Sequence, residues 1–303
     1  MTRVWLPDSP EAFGGLPAGI EADVWKGGDG FPSTADEVEF VVLPFGAKPE
    51  IIPTLGSLPK LKTLQILTAG VDQILPYLPA HVTLCNARGA HTPATAEWTV
   101  GAIIASLRSF PRFAVAQEAG HWAPAGTDSV GGKRVLIVGY GSIGEAVESR
   151  LAGWEVTVDR VARHARDGVQ AMDQLPALLP SADVVVILVP VTEETKQLVN
   201  AQFLKTMKDG ALLVNAARGV IVDTDALLAE LTSGRLRAAL DVTDPEPLPD
   251  GHPLWSAPGL LLTPHVAGTV HSAGKRAYGV VSAQLARLAA GDPLLNVIGA
   301  DGY

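Results

Sequence analysis

One cysteine, Cys85, occurs among the 303 residues. No internal disulfide is open to the chain, nor any metal site built from several thiolates, and such sparse use fits a reducing compartment. Cys85 lies in the run VTLCNARG, where a small buried side chain is the simplest role. Basic residues are also in the minority: 23 Lys plus Arg face 32 Asp plus Glu, for a net charge of -9. Binding to a nucleic-acid backbone or an anionic membrane would then need a local basic patch, and none dominates the sequence. Long apolar runs are missing too. The opening MTRVWLPDSP is broken by Pro7, Asp8 and Pro10, unlike a signal peptide, and no later stretch reaches membrane-spanning length. These absences lead to the expectation of a cytoplasmic protein without nucleic-acid, membrane or metal partners.

What is present is ample core material, with 47% hydrophobic residues in a length that favours two domains. Short β-branched runs, RVWLP, VEFVVLP, TLQILTAG and VTLCNARG, alternate with Pro/Gly-rich connections and a weakly helical KPEIIPTLGSL. That alternation predicts a small parallel α/β domain. From Thr92, with Pro93 suited to a first turn, apolar residues recur at helical spacing as far as Pro111 and predict a long helix bridging two domains. A loop, FAVAQEAGHWAPAGTDSVGG, leads into a second series of strand-like runs: KRVLIVG, EVTV, ADVVVILVP, GALLVNAARG, LRAALDV and LLLTPHVAG. The final HSAGKRAYGVVSAQLARLAAG reads as an amphipathic helix returning to the first domain. The expected division is 1–96 with 272–303, and 97–271.

In VLIVGYGSIGEAVESRLAG an apolar strand runs into Gly139, Gly141 and Gly144 and then a helix. This is the arrangement that cradles a pyrophosphate. The first glycine allows the tight turn, the second lets backbone approach the ligand, the third lets helix and strand pack, and the first-turn N–H groups (Ser142, Ile143) face the negative charge. A lone GxGxxG is a weak signal, but its strand-turn-helix setting makes it a strong one. An acid usually grips the adenosine ribose about 20 residues further on. In TVDRVARHAR that position holds Ala162, surrounded by Arg160, Arg163 and Arg166. Forked, fully charged guanidinium groups suit a 2'-phosphate, so NADP is the preferred cofactor and NAD the second choice. The alternative is a solvated arginine face, with Asp159 taking the ribose.

Three more strand ends carry an ionisable residue each: Arg218 in NAARGVIVD, Glu246 in LDVTDPEP and His265 in TPHVAG, with Asp241 closing LRAALD. Ligands gather at such ends in open α/β sheets. A carboxylate such as Glu246 can fix the tautomer of His265 and raise its basicity. Singly, each has an ordinary structural alternative: a surface charge, a loop acid, a core histidine, a strand-end cap. Asp223 before TDALLAEL reads as a helix cap, and His81, His91, His121, His164, His252 and His271 lack comparable settings.

The order GxGxxG, NAARGxxVD, LDVxxxEP, HPLW and TPHxAG resembles the D-isomer-specific 2-hydroxyacid dehydrogenase family, from TAGVD at 68–72 to the final helix. The resemblance implies an α/β protein of two Rossmann-like domains, a flavodoxin-like substrate domain with the dinucleotide-binding domain inserted, an active site in the cleft between them, and a homodimer. It implies hydride transfer between NAD(P)H and a small 2-keto acid, such as glyoxylate or hydroxypyruvate. In that scheme Arg218 binds the substrate carboxylate, His265 is the acid/base, Glu246 its partner, and Asp241 fixes the nicotinamide carboxamide. The backbone of Gly70 and Val71 holds the substrate carboxylate, and the segment with Val189 and Pro190 lies along the cofactor. The alternatives are an NAD-preferring dehydrogenase, a formate dehydrogenase, which carries glutamine at the position of Glu246, and a non-catalytic nucleotide-sensing regulator. Arg88, in NARGAH, stands where a smaller residue is expected and either meets an anionic substrate or faces solvent.

Overall fold

The computed structural model describes residues 1–28 and 30–299. The chain divides into two compact units, Met1–His91 with the segment from His271 onward, and Thr92–Val270. The first unit opens with strands β1 (Thr2–Leu6), β2 (Ile20–Val24) and β3 (Val38–Val42), the single-turn helix α1 (Ile52–Leu55), and strands β4 (Thr63–Gln65) and β5 (Thr83–Cys85). All pair in parallel in the order β2-β1-β3-β4-β5. Parallel strands covered on both faces read as unbroken apolar runs, which is why Val4, Trp5, Leu6, Phe40, Val41 and Val42 are all buried. The edge strand β2, IEADV, has no such signature. Only Ile20 is buried, while Glu21 and Asp23 pair with Arg3 of β1, so hydrophobic pattern alone does not reveal it.

The second unit begins with helix α2 (Thr92–Leu107), followed by α3 (Phe110–Glu118). The predicted helix to Pro111 is broken because Ser109 takes a left-handed conformation (φ 54), which lets Pro111 sit in the first turn of a new helix, where its missing N–H is tolerated. Part of the expected loop 113–132 is therefore helical. There follow β6 (Arg134–Val138), α4 (Ser142–Leu151), β7 (Thr157–Ala162), the two-residue β8 (Gln170–Ala171), α5 (Leu175–Leu178) and β9 (Val184–Ile187). The unit closes with α6 (Ala201–Thr206), β10 (Leu212–Asn215), α7 (Thr224–Thr232), β11 (Arg237–Leu240) and β12 (Leu260–Leu262). The sheet is parallel throughout, in the order β12-β11-β10-β9-β6-β7-β8, and reverses direction of growth between β6 and β9.

One face of this sheet (Leu136, Val138, Val185, Ile187, Leu213) packs with Phe203, Leu204, Leu227 and Leu231 from α6 and α7. The other (Val135, Ile137, Val184, Val186, Val214) packs with Val100, Ile103 and Leu107 of α2 and Val147 and Leu151 of α4. Each such side chain contributes roughly 1.5–3 kcal/mol through burial. Helix α2 thus belongs to the second unit from its first residue, and the division falls at 91/92 rather than at 96/97. Asp223 caps α7, its carboxylate accepting from the Ala226 N–H. Among the described residues no helix is long and apolar enough to cross a membrane.

The last helix, α8 (Ala273–Ala290), returns to the first unit, where Ala277, Val281 and Leu285 meet Val4, Leu6, Phe40 and Val42. The final four residues of the expected 272–303 segment lie outside the described residues. Buried Gln284 of α8 donates both to Gln65 Oε1 (3.1 Å) and to the Leu295 carbonyl (2.8 Å), tying helix, sheet and C-terminal segment together. Beside it, burial pushes the Cys85 thiol up to about 11, against a smaller lowering by Gln284. At pH 8 only about one thiol in a thousand would then be ionised. Native protein is expected to resist Ellman's reagent and to release one equivalent of thiol only after unfolding in urea; rapid full reaction of the folded protein would contradict this burial.

Candidate active site

At the end of β6 the backbone turns at Gly139 with φ 104, and a Cβ there would lie 2.5 Å from the Leu188 carbonyl carbon and 2.6 Å from the Val189 nitrogen. Only glycine lets the β6 and β9 ends approach so closely. The N–H groups of Gly139 and Tyr140 both donate to the Val161 carbonyl (2.9 and 3.0 Å), which pins this turn to β7. Gly144 is buried and packs on Gly139 and Ile137, whereas a Cβ on Gly141 would meet nothing within 4 Å. Gly141 precedes α4, whose N-terminus has no side-chain cap. First-turn N–H donors of Ser142 and Ile143 above an open glycine fit an anionic pyrophosphate. Val189 is buried in the core, so only its backbone is available to a ligand, and the Pro190 carbonyl accepts from the Thr195 hydroxyl at 2.6 Å.

The rim of this cradle is formed by the end of β7. Ala162 is the last residue of the strand, and no acid stands there. Asp159 lies in the body of β7 opposite Leu136, with its carboxylate on Arg134 at 2.7 Å, which removes it from the ribose position. Arg160 is also committed. It forms a two-pronged ion pair with Glu148 of α4, and the Tyr140 hydroxyl donates to the same carboxylate. Hydrogen bonds from Arg160 hold Glu148 below the usual carboxylate range despite its partial burial, and burial raises Tyr140. The guanidinium groups of Arg160 and Arg166 lie 5.6 and 5.7 Å from the Tyr140 ring centre, and Arg166 donates to the Tyr140 carbonyl. Arg163 and Arg166 are the exposed arginines beyond the strand end.

Further along the same sheet edge, β10, β11 and β12 deliver Arg218, Asp241 with Glu246, and His265 in neighbouring loops. Arg218 precedes a short 3-10 turn, Gly219–Ile221. The buried Asn215 at the end of β10 holds it there, donating to the Arg218 carbonyl (2.9 Å) and accepting from the Ala217 N–H (3.0 Å). A Cβ on Gly219 would lie 1.9 Å from the Thr243 carbonyl oxygen, so the Arg218 loop rests directly on the loop leading to Glu246. Across that loop His265 Nδ1 meets Glu246 Oε1 at 2.5 Å, both side chains being partly exposed (44% and 40%). A carboxylate only accepts, so Nδ1 carries the proton and Nε2 is the ring nitrogen not engaged by Glu246. The His265 backbone is left-handed, φ 54. Glu246, Pro247, Leu248, Trp255, Leu262 and His265 surround a largely apolar cavity of about 320 Å³.

Asp241 is 2% exposed. Its Oδ1 accepts from the Thr263 hydroxyl (2.6 Å) and the Val266 N–H (2.9 Å), and its Oδ2 from the Ala267 N–H (2.8 Å). Of roughly four lone-pair positions on a carboxylate these three bonds fill most. The loop that the resemblance assigns to the substrate carboxylate, with Gly70 and Val71, is in the first unit. Asn86 donates to the Ala69 carbonyl (2.7 Å) and His91 Nε2 bonds the Leu67 carbonyl (2.9 Å). His252 accepts from the Leu254 N–H and so caps the turn at HPLW. Among the described residues there is no group of three His, Cys, Asp or Glu suited to a metal.

Asn215, Gly219 and Thr263 are the functional-site residues that motif reading passes over. The first two stand inside NAARG, but that motif draws attention to its one charge. A glycine turn at the reversal point of a parallel sheet defines a dinucleotide-binding α/β protein, and an imidazole–carboxylate pair stands at the same edge of that sheet. Residues 100–267 match the family described as D-isomer specific 2-hydroxyacid dehydrogenase, NAD binding domain, and the chain belongs to that family. An uncharacterized protein of Corynebacterium melassecola is 36% identical over 232 residues, 72% of this chain and 75% of its own. A D-isomer specific 2-hydroxyacid dehydrogenase of Xanthobacter autotrophicus Py2, solved with NADPH and MES, is 29% identical with a TM-score of 0.82, covering 100% of this chain and 99% of its own. An NADPH-dependent glyoxylate/hydroxypyruvate reductase of Sinorhizobium meliloti, solved with NADP and sulfate, is 27% identical with a TM-score of 0.82, covering both chains fully.

Replacing Gly219 by Ala would drive a methyl group into the Thr243 carbonyl. Urea unfolding is expected to show a loss of about 1–3 kcal/mol, the range for overpacking a fixed site. Wild-type stability in that variant would mean that the two loops are not in contact.

Proposed function

We propose that this protein is an NADPH-dependent reductase of small 2-keto acids, giving D-2-hydroxy acids. The observation that carries the proposal is the His265–Glu246 pair at 2.5 Å, two strands along the sheet edge from the loop bearing Arg218. When bound, the reduced nicotinamide supplies the hydride. Protonated His265 gives its Nε2 proton to the carbonyl oxygen as negative charge develops there, and Glu246 keeps the ring oriented and stabilises the imidazolium. Arg218 pairs its guanidinium with the substrate carboxylate and draws electron density from the keto group. In the first unit, the backbone of Gly70 and Val71 binds a carboxylate. Asp241 turns its remaining lone pair to the carboxamide.

The preference for NADP over NAD is supported by Ala162 at the end of β7, by the engagement of Asp159 with Arg134, and by Arg163 and Arg166 on the following loop. Arg160, matched by Glu148, orders the rim rather than reading the phosphate. The NADPH and NADP complexes of the Xanthobacter and Sinorhizobium proteins agree with this preference. A homodimer is the assembly that the resemblance implies, and α3 fits it: the helix has no buried residue within the chain, its Phe110 and Val115 are 52% and 67% exposed, and Trp122 in the loop after it is 93% exposed.

The test is reduction of glyoxylate, hydroxypyruvate and longer 2-keto acids with NADPH and with NADH. Turnover is expected with NADPH, and its absence with every acid and both coenzymes would favour a nucleotide-sensing role. His265→Ala should lower kcat by about 10²–10⁴-fold, the worth of a positioned general acid, with coenzyme affinity retained. Undiminished turnover would remove the acid role. Arg163→Asp should lower the NADPH-to-NADH ratio of kcat/KM by about tenfold or more, since a carboxylate there repels a 2'-phosphate; an unchanged ratio would place phosphate recognition elsewhere.

A further inference from the structure

We infer that Thr263 is a positioning residue for His265, acting through Asp241. The inference rests on the acid/base reading of His265 and extends it to a residue that touches neither substrate nor coenzyme in that reading. The geometry forms a closed chain. The Thr263 hydroxyl donates to Asp241 Oδ1 at 2.6 Å, and because the Asp241 side chain is buried this charged contact is shielded from water. The same carboxylate receives the N–H groups of Val266 and Ala267, the two residues after the histidine. The His265 N–H donates to the Asp241 carbonyl at 2.7 Å. Residues on both sides of the imidazole are therefore hung on one side chain at the end of β11.

The turn needs this support. His265 has φ 54, a conformation that a non-glycine residue leaves readily unless the surroundings impose it. The N–H groups of Val266 and Ala267 hold the carboxylate from the C-terminal side of the turn. The Thr263 hydroxyl holds it from the N-terminal side, sharing Oδ1 with Val266, so that the carboxylate plane is fixed from both sides. Without the hydroxyl the carboxylate keeps its charge but loses this orientation, and the turn is free to relax away from Glu246. The effect is one of aim, since neither the acid nor its partner is altered.

Thr263→Val keeps the shape and removes the hydroxyl, while Thr263→Ser restores it. With NADPH and the best 2-keto acid, Thr263→Val is expected to lower kcat by about 10–100-fold, the cost of a misplaced reacting group. The coenzyme dissociation constant, read by quenching of tryptophan fluorescence, should rise by much less than kcat falls, because the pyrophosphate cradle lies elsewhere on the sheet and only the Asp241 contact is shared. Thr263→Ser should recover most of the loss. A crystal structure of Thr263→Val should show the His265–Glu246 contact opened beyond hydrogen-bond reach. Unchanged kcat with an intact contact would overturn the inference. So would a loss of coenzyme affinity equal to the loss of kcat, or failure of serine to rescue. If wild-type protein reduces no keto acid, the proposed function fails instead, and the crystal structure alone decides whether Thr263 sets the histidine.

Discussion

A parallel sheet delivers every strand's following loop to the same edge, and in this protein that constraint assembles the candidate site. Strands β10, β11 and β12 are neighbours, so Arg218, Glu246 and His265, far apart in sequence, emerge side by side. The reversal between β6 and β9 opens a crevice at that edge, where the Gly139 turn presents the start of α4. Burial holds the sheet together, but the hydrogen bonds of Asn215 and Asp241, both buried polar groups at strand ends, turn a stable sheet into an aimed set of side chains.

How much of this can be read from the sequence depends on the kind of interaction. Strands buried on both faces announce themselves as apolar runs, and of the twelve strands among the described residues nine fall mostly within such stretches while β7 only begins in one. The two that do not, β2 and β8, are edge strands. Their pairing satisfies backbone groups and leaves little apolar signature. The left-handed Ser109 that splits α2 from α3 is a single dihedral choice, and only Pro111 hints at it.

The same distinction runs through the site. Charged residues in motifs are visible, and Arg218, Glu246 and His265 follow three neighbouring strands of one sheet. What a charge is paired with is not visible. Arg160 stands among the arginines of TVDRVARHAR, but Glu148, on another element, meets it from across the crossover. Asp159 could have been a ribose ligand until its partner Arg134 is known. Gly219 reads as an ordinary glycine, and its purpose lies in the backbone of Thr243, which reaches it only in the folded unit.

The left-handed backbone at His265 carries one more consequence. An L-residue in that conformation costs roughly 1–2 kcal/mol relative to the right-handed basin, and glycine or asparagine would occupy it with less strain. The position proposed to supply the proton is thus one where the backbone would be less strained with a different amino acid. Selection for heat resistance alone would drift away from the imidazole, and on the proposed function durability is traded there for reactivity.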